Sequence, residues 1–290
     1  MKEQTPSSEI ILNPDGSIYH LGLRPEHLPD IILTVGDPER VPQVSQYFDG
    51  LKLKVNRREF VSHIGTLAGK PIMVISSGMG TDNVEILLTE LDILANYNLK
   101  SLQPKPLLRT LNIIRLGTSG TLHEDIPLDS LLVSRYAFGI DTLMQFYDYP
   151  RPDDWLIYGK ALGEHLALSF EPYCAEAAPT LLEPFVNEML VGHTLTCPGF
   201  YAPQGRSLRL PIRPPHLHER LRDFSFNGKR ITNFEMETAG YYALGHALGH
   251  NMLSTNAIVA NRATQKFSVQ ASKTIDRLIR TVLSKISGLD

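Results

Sequence analysis

Ile31-Ile32-Leu33-Thr34-Val35-Gly36-Asp37-Pro38 is a short, β-branched apolar run that stops at a turn signal. That is the pattern of a buried strand. The same form recurs at Ile72-Met73-Val74-Ile75-Ser76, which stops at Ser77-Gly78-Met79-Gly80. It recurs again at Asn112-Ile113-Ile114-Arg115-Leu116, which stops at Gly117-Thr118-Ser119-Gly120. Between the last two, Val84, Leu87, Leu88, Leu91, Leu94 and Ala95 follow the i, i+3, i+4 spacing of an amphipathic helix. Fully apolar strands alternating with such helices predict an α/β domain with a largely covered sheet. Further strands are expected at Leu131-Leu132-Val133, at His193-Thr194-Leu195 and at Thr255-Asn256-Ala257-Ile258-Val259. Asn233-Phe234-Glu235-Met236 leads into an Ala- and Leu-rich helix. Ile275, Leu278, Ile279, Val282, Leu283 and Ile286 lie on one face of a C-terminal one.

The composition excludes several classes. With 42% hydrophobic and 20% charged residues among 290, the chain is globular and not disordered. A net charge of −3 gives no basic surface for nucleic acid. The opening residues lack the apolar core of a signal peptide, and no run of about 18 apolar residues could span a bilayer. A cytoplasmic protein with no membrane partner is the expectation. Cys174 and Cys197 are far apart without CxxC spacing, so neither a disulfide framework nor a zinc ribbon is signalled. Residues 1–18, polar and turn-rich, read as a flexible arm, and residues 19–290 as a single domain. Residues 203–230, with four prolines and six arginines, read as a long surface excursion.

In open α/β sheets ligands gather beyond the carboxyl ends of the strands. Gly36 would let backbone approach an anion there. Asp37 would cap the next helix, with Pro38 at its first position and Arg40 projecting from its first turn. An ordinary capped junction has the same signature. Arg115, inside an apolar strand, demands an anion or a carboxylate partner, because an unpaired buried guanidinium is costly. Arg58-Glu59-Phe60 opens a strand-like stretch and adds a third anion contact. Neither GxxxxGKS/T nor GxGxxG occurs, so no nucleotide-triphosphate or dinucleotide fingerprint is present. Glu235 and Glu237, at a strand end entering a helix, could grip the vicinal hydroxyls of a sugar, or could simply complement the helix dipole. His246 and His250 share a helical face at i, i+4, but without HExxH they read as a solvated or interface pair. Cys197 reads as a small core residue, and Trp155 as packing for its helix.

Taken in order, Gly36-Asp37-Pro38-Glu39-Arg40, Arg58-Glu59-Phe60, Arg115-Leu116-Gly117-Thr118-Ser119-Gly120 and Glu235-Met236-Glu237-Thr238 resemble the motifs of the nucleoside phosphorylase family, the purine nucleoside and uridine phosphorylases. The resemblance runs from about Tyr19 to the C-terminal helix. It implies a three-layer α/β/α sandwich with a mixed, partly barrel-like central sheet. By motif, Gly36, Arg40, Arg115 and Thr118 would bind phosphate, with Arg58 supplied by a neighbouring subunit. Met236 and Glu237 would hold the ribose together with Thr118. His20 would reach the sugar's 5′ end across a dimer interface. A homodimer, or a hexamer as a trimer of dimers, with shared active sites is implied. Inorganic phosphate is a co-substrate, and no cofactor is expected.

The base site resembles the uridine branch. Phe200 would supply an aromatic wall, Gln204 and Arg206 would read and charge-stabilise the pyrimidine, and Val259 would line it. Arg115, Arg206 and Gln204 are the expected catalytic residues. Purine-specific relatives carry an aspartate at the end of the last strand, whereas this chain has Asn261-Arg262. The implied activity is reversible phosphorolysis of uridine. Phosphorolysis of purine nucleosides, deoxyuridine or thymidine is the alternative, and a non-catalytic nucleoside-binding protein is one of another class. Two departures stand out. Pro203 precedes the glutamine where the uridine pattern usually has glycine. Asn83 replaces a serine that some bacterial members place, with a glutamate like Glu59, near an intersubunit potassium site, so no metal site is expected.

Overall fold

The computed structural model describes residues 8–288. Each buried-type run forms a strand: β1 (Ile31–Val35), followed after helix α1 (Arg40–Ser45) by β2 (Gly50–Arg57), β3 (Phe60–Leu67) and β4 (Lys70–Ser76). The amphipathic stripe becomes α2 (Thr81–Asn96), whose Val84, Leu87, Leu88, Leu91, Leu94 and Ala95 are all buried. Then come β5 (Asn112–Thr121), β6 (Leu131–Gly139), α3 (Asp153–Leu166), β7 (Tyr173–Glu176) and β8 (Leu190–Thr196). The chain ends with α4 (Leu217–Asp223), β9 (Asn233–Glu235), α5 (Thr238–Leu248), β10 (Asn251–Asn261), β11 (Lys266–Phe267) and α6 (Ala271–Ile286).

These strands form one mixed sheet in the order β11-β10-β6-β8-β9-β5-β1-β4-β3-β2, with β7 on β6. An additional pairing of β10 with β5 closes the ring β10-β6-β8-β9-β5. The remaining strands, β1 to β4, extend from β5 as a wing. The α/β fold with a mixed, partly barrel-like sheet is therefore as the resemblance implied. One cluster of buried side chains runs from Ile10 to Ile286.

Several local expectations change. The Gly117-Thr118-Ser119-Gly120 turn is instead the second half of β5, kept extended by pairing with β10 through Asn261↔Thr121 and with β9 through Phe234↔Gly120. Of the arm expected over residues 1–18, residues 1–7 lie outside the described residues. Residues 8–18 are docked: Ile10 and Ile18 are buried, and Asn13 donates to the carbonyl of Ile18. Arg58 occupies the hairpin between β2 and β3 with a φ of 54°, in place of opening a strand. His250 is buried: its Nδ1 accepts from the Leu111 N–H, and its Nε2 lies 3.3 Å from Asp92. His246 packs edge-on against Trp155, which is itself buried in α3. Both cysteines are buried, and burial pushes their thiols well above the ordinary range.

Candidate active site

Because β1 lies between β4 and β5, with all three parallel, their carboxyl ends open side by side. A cavity of about 670 Å³ occupies that position. Gly36, Arg40, Arg115 and Thr118 line one part of it, Met236 and Glu237 another, and Phe200, Gln204, Arg206 and Val259 a third. Of the residues expected to form the site, only His20 and Arg58 are not in its wall.

At the anion end, the turn after β1 differs in detail from the expectation. Asp37 caps the N–H of Glu39, not that of a helical residue, and Arg40 is the first residue of α1. Arg40 donates to the Leu116 carbonyl at 3.2 Å, and among the described residues no carboxylate lies within ion-pair distance of it. Burial, and then repulsion from Arg115, holds its pKa below the ordinary arginine value. The Thr118 hydroxyl has no protein partner among the described residues. A half-buried cation and a free hydroxyl in one cavity wall have the chemistry to receive an anion.

Both terminal nitrogens of Arg115 are engaged, while its Nε is buried without a hydrogen-bond partner. Its Nη2 lies 2.5 Å from Glu237 and 3.1 Å from Glu235, and its Nη1 donates to Asn256 at 3.2 Å. Burial alone would push the guanidinium down, but the two carboxylates outweigh it and hold it above its usual value. The partner demanded by an arginine in an apolar strand is thus a pair of carboxylates.

Those carboxylates do different work. Glu235 accepts from the N–H groups of Glu237 and Thr238 at the start of α5, and from the Thr196 hydroxyl at 2.7 Å. It is the helix cap. Glu237 accepts from the Gly80 N–H at 2.8 Å and faces the cavity beside Met236. Burial raises its carboxyl above the ordinary value, against the pull of Arg115. Both carboxylates line the cavity, but Glu235 is the one taken up by the start of α5.

At the third end, residues 202–204 form a single 3-10 turn that accommodates Pro203 near its start, and Gly205 follows with a φ of 73°. The turn points Gln204 and Arg206 together: Arg206 Nη1 donates to Gln204 Oε1 at 2.7 Å and to the Phe200 carbonyl. The guanidinium carbon lies 3.9 Å from the centre of the Phe200 ring, a cation–π stack. Val259 reaches the cavity because β10 slips register between Ile258 and Ala260, a bulge that re-aims the intervening side chain.

His20 is held elsewhere. Glu90, on α2, accepts from the backbone N–H groups of His20 and Leu21 and sits 2.7 Å from His20 Nδ1. Arg58 packs over the Tyr19 ring, 5.5 Å from its centre. These two residues are neighbours of each other's segment and outside the cavity of their own chain.

Asn261 is not in the wall of this cavity. Its amide donates to the carbonyls of His123 and Ile126 and accepts from the N–H groups of Ala263 and Thr264, so it braces a turn. The next residue, Arg262, approaches instead, 3.5 Å from the Gln204 carbonyl. Sequence reasoning missed Phe267, which lines the cavity from β11. No local pattern marks it, because a two-residue strand carries no periodicity. Among the described residues no cluster of histidine, cysteine, aspartate and glutamate could hold a metal ion.

Comparison with known proteins places this geometry. Residues 30–284 match the model of the phosphorylase superfamily. The uridine phosphorylase of Thermococcus kodakarensis is 28% identical over 276 residues, covering 94% of this chain and 88% of that one. The uridine phosphorylase of Haemophilus influenzae is 23% identical over 94% of this chain and 98% of its own. A Trypanosoma brucei nucleoside phosphorylase, whose crystal structure is described as showing uridine phosphorylase activity, superposes with a TM-score of 0.88. It is 28% identical, covering 95% of this chain and 98% of that chain.

Proposed function

The chain belongs to the phosphorylase superfamily, and from that footing we propose that it is a uridine phosphorylase, a pentosyltransferase running uridine + phosphate ⇌ uracil + ribose 1-phosphate. The observation that carries the proposal is the meeting, in one cavity, of an unpaired guanidinium, a sugar-facing carboxylate and a coupled Gln–Arg pair. The single domain read over residues 19–290 is part of the proposal.

Phosphate binds against Arg40, Gly36 and Thr118, beside the outer edge of Arg115. Glu237 accepts hydrogen bonds from the ribose 2′ and 3′ hydroxyls, with Met236 beneath the sugar. As the C1′–N1 bond breaks, its electron pair leaves with uracil while positive charge grows on the ribose ring. A phosphate oxygen below C1′ stabilises that charge and then bonds to the carbon. Arg206 and the Gln204 amide N–H₂ donate to the carbonyls of the departing uracil, taking up its negative charge without a strong general acid. Such preorganised donors supply the largest single part of many rate enhancements.

His20 and Arg58 complete the site from a neighbouring subunit, giving a homodimer or a hexamer built from dimers. Their place outside their own chain's cavity supports this. A cytoplasmic location accompanies the proposal; among the described residues no helix is long and apolar enough to cross a membrane. The deciding experiment is base release from uridine, thymidine, inosine and adenosine, each with and without phosphate. Release of uracil from uridine only with phosphate is expected. Turnover without phosphate would make the protein a nucleosidase, preference for inosine a purine enzyme, and no turnover at all a binding protein.

A further inference from the structure

The arginine-rich stretch 203–230 contributes to a second cavity. Helix α4 and the segment after β10 enclose a space of about 540 Å³ whose wall includes Arg206, His218, Arg222, Arg262 and Lys266. Arg206 and Phe267 belong to both cavities, so the second space adjoins the base-reading end of the first.

Its charge is one-sided. Four permanently cationic side chains face a single carboxylate, Glu219, which lies 3.8 Å from the His216 ring instead of bonding to any of them. Among the described residues no carboxylate lies within ion-pair distance of Arg206, Arg262 or Lys266, and Arg222 has only Asp223. Three other arginines do have carboxylate partners: Arg109 pairs with Asp30, Arg230 with Asp125 and Arg280 with Asp276. Burial, and then Arg206, lowers the pKa of Arg262, a repulsion with no counter-charge to offset it.

His218 is part of the cavity wall as well. The His218 ring packs against Gly205, whose missing side chain makes room for it. Its Nε2 is buried without a hydrogen-bond partner. Burial, helped by Arg262 and Arg206, keeps the ring neutral near pH 7. A neutral imidazole can present N–H at that nitrogen.

We propose that this second cavity is a subsite for a small oxyanion, a phosphate or carboxylate group, held by Arg262, Lys266 and Arg222 beside the His218 ring. Its occupant neutralises the repulsion between Arg206 and Arg262 and so steadies the base-reading pair. The oxyanion has two sources: a free inorganic anion, or a carboxylate carried on a pyrimidine lying in the adjacent pocket. The second source rests on the uridine phosphorylase reading.

The test is an NMR titration of the full chain with isotope-labelled histidine, the His218 signal being assigned with His218→Asn. Inorganic phosphate, or 5-carboxyuracil with its neutral 5-carboxamide as control, is expected to shift the His218 ring signal saturably. Lys266→Gln should raise the midpoint about threefold or more, the effect of one partly exposed charge, and leave the KM for phosphate in uridine phosphorolysis unchanged. A shift with phosphate but not with 5-carboxyuracil identifies a free anion, and a shift with the acid but not the amide identifies a base-borne one. No saturable shift with either, or a midpoint indifferent to Lys266→Gln, overturns the proposal. Failure of the uridine reading would appear separately, as absence of phosphate-dependent uracil release with the His218 titration intact.

Discussion

Arg115 and Glu237 meet at 2.5 Å on the floor of the cavity, both buried, from positions more than a hundred residues apart in the chain. Glu235 lies 3.1 Å from the same guanidinium. The charges of the site are therefore arranged before any ligand arrives, and the cost of burying the arginine is met by protein. Arg40, beside it without a carboxylate, is left as the cation an incoming anion finds.

Gly117→Ala should disable this arrangement. A Cβ at Gly117 would overlap the Arg115 guanidinium, which cannot retreat because Asn256 and Glu237 hold it. Displacing a positioned group by about 1 Å costs on the order of 100-fold in rate. Steady-state kinetics with uridine should record a fall in kcat/KM of that size. A variant with wild-type kinetics would show that the position of Arg115 is immaterial to turnover.

Arg206→Ala should lower kcat/KM for uridine by about 100-fold or more, the effect of losing one preorganised donor. It also removes the hydrogen bond to Gln204 Oε1 and the stack on Phe200, so the Gln204 amide loses its fixed orientation. The same assay checks it, and an unaltered kcat/KM would take Arg206 out of the base site.

Asn261→Asp should destabilise the protein without conferring inosine phosphorolysis. A carboxylate cannot donate to the His123 and Ile126 carbonyls that the amide now satisfies. Leaving buried acceptors unmatched costs about 1–3 kcal/mol, measurable by urea denaturation. Efficient turnover of inosine would mean that this side chain governs base choice after all.

His193 makes part of the acid sensitivity. Burial, and then Lys229 and Arg135, lowers its pKa from 6.5 to about 4. Below pH 6.5 the unfolded chain takes up a proton that the folded one refuses, so stability falls with pH until about pH 4. This group should remove about 2 kcal/mol between pH 7 and pH 5. Urea denaturation at both values should show a smaller loss in His193→Gln. An equal loss would mean that the ring protonates freely in the folded state.

The elements that build the site were readable from local chemistry. β-branched runs ending in glycine gave β1, β4 and the first half of β5, since a strand's side-chain period and a turn's backbone needs are properties of a few adjacent residues. Arg115 announced a buried partner because no isolated guanidinium survives in an apolar strand. The omission of Phe267 has a physical cause: the side chain lies where β11 folds back on β10, and its direction is set by a turn that composition does not encode.

By itself, then, the sequence determined the buried strands β1 and β4, the start of β5, the helices α2 and α6, the order of the motif residues, and the need for charge compensation around Arg115. The tertiary structure alone decided that Glu235 caps a helix while Glu237 accepts from the Gly80 N–H, both in the cavity wall. It also decided that Gly117 and Gly120 stay in a strand, and that Arg262 approaches Gln204 while Asn261 braces a turn. The physical reason is range: side-chain periodicity acts over a few residues. The closing of the ring, by contrast, is a set of pairings between β5 and strands more than a hundred residues later, and those neighbours dictate where each polar atom points.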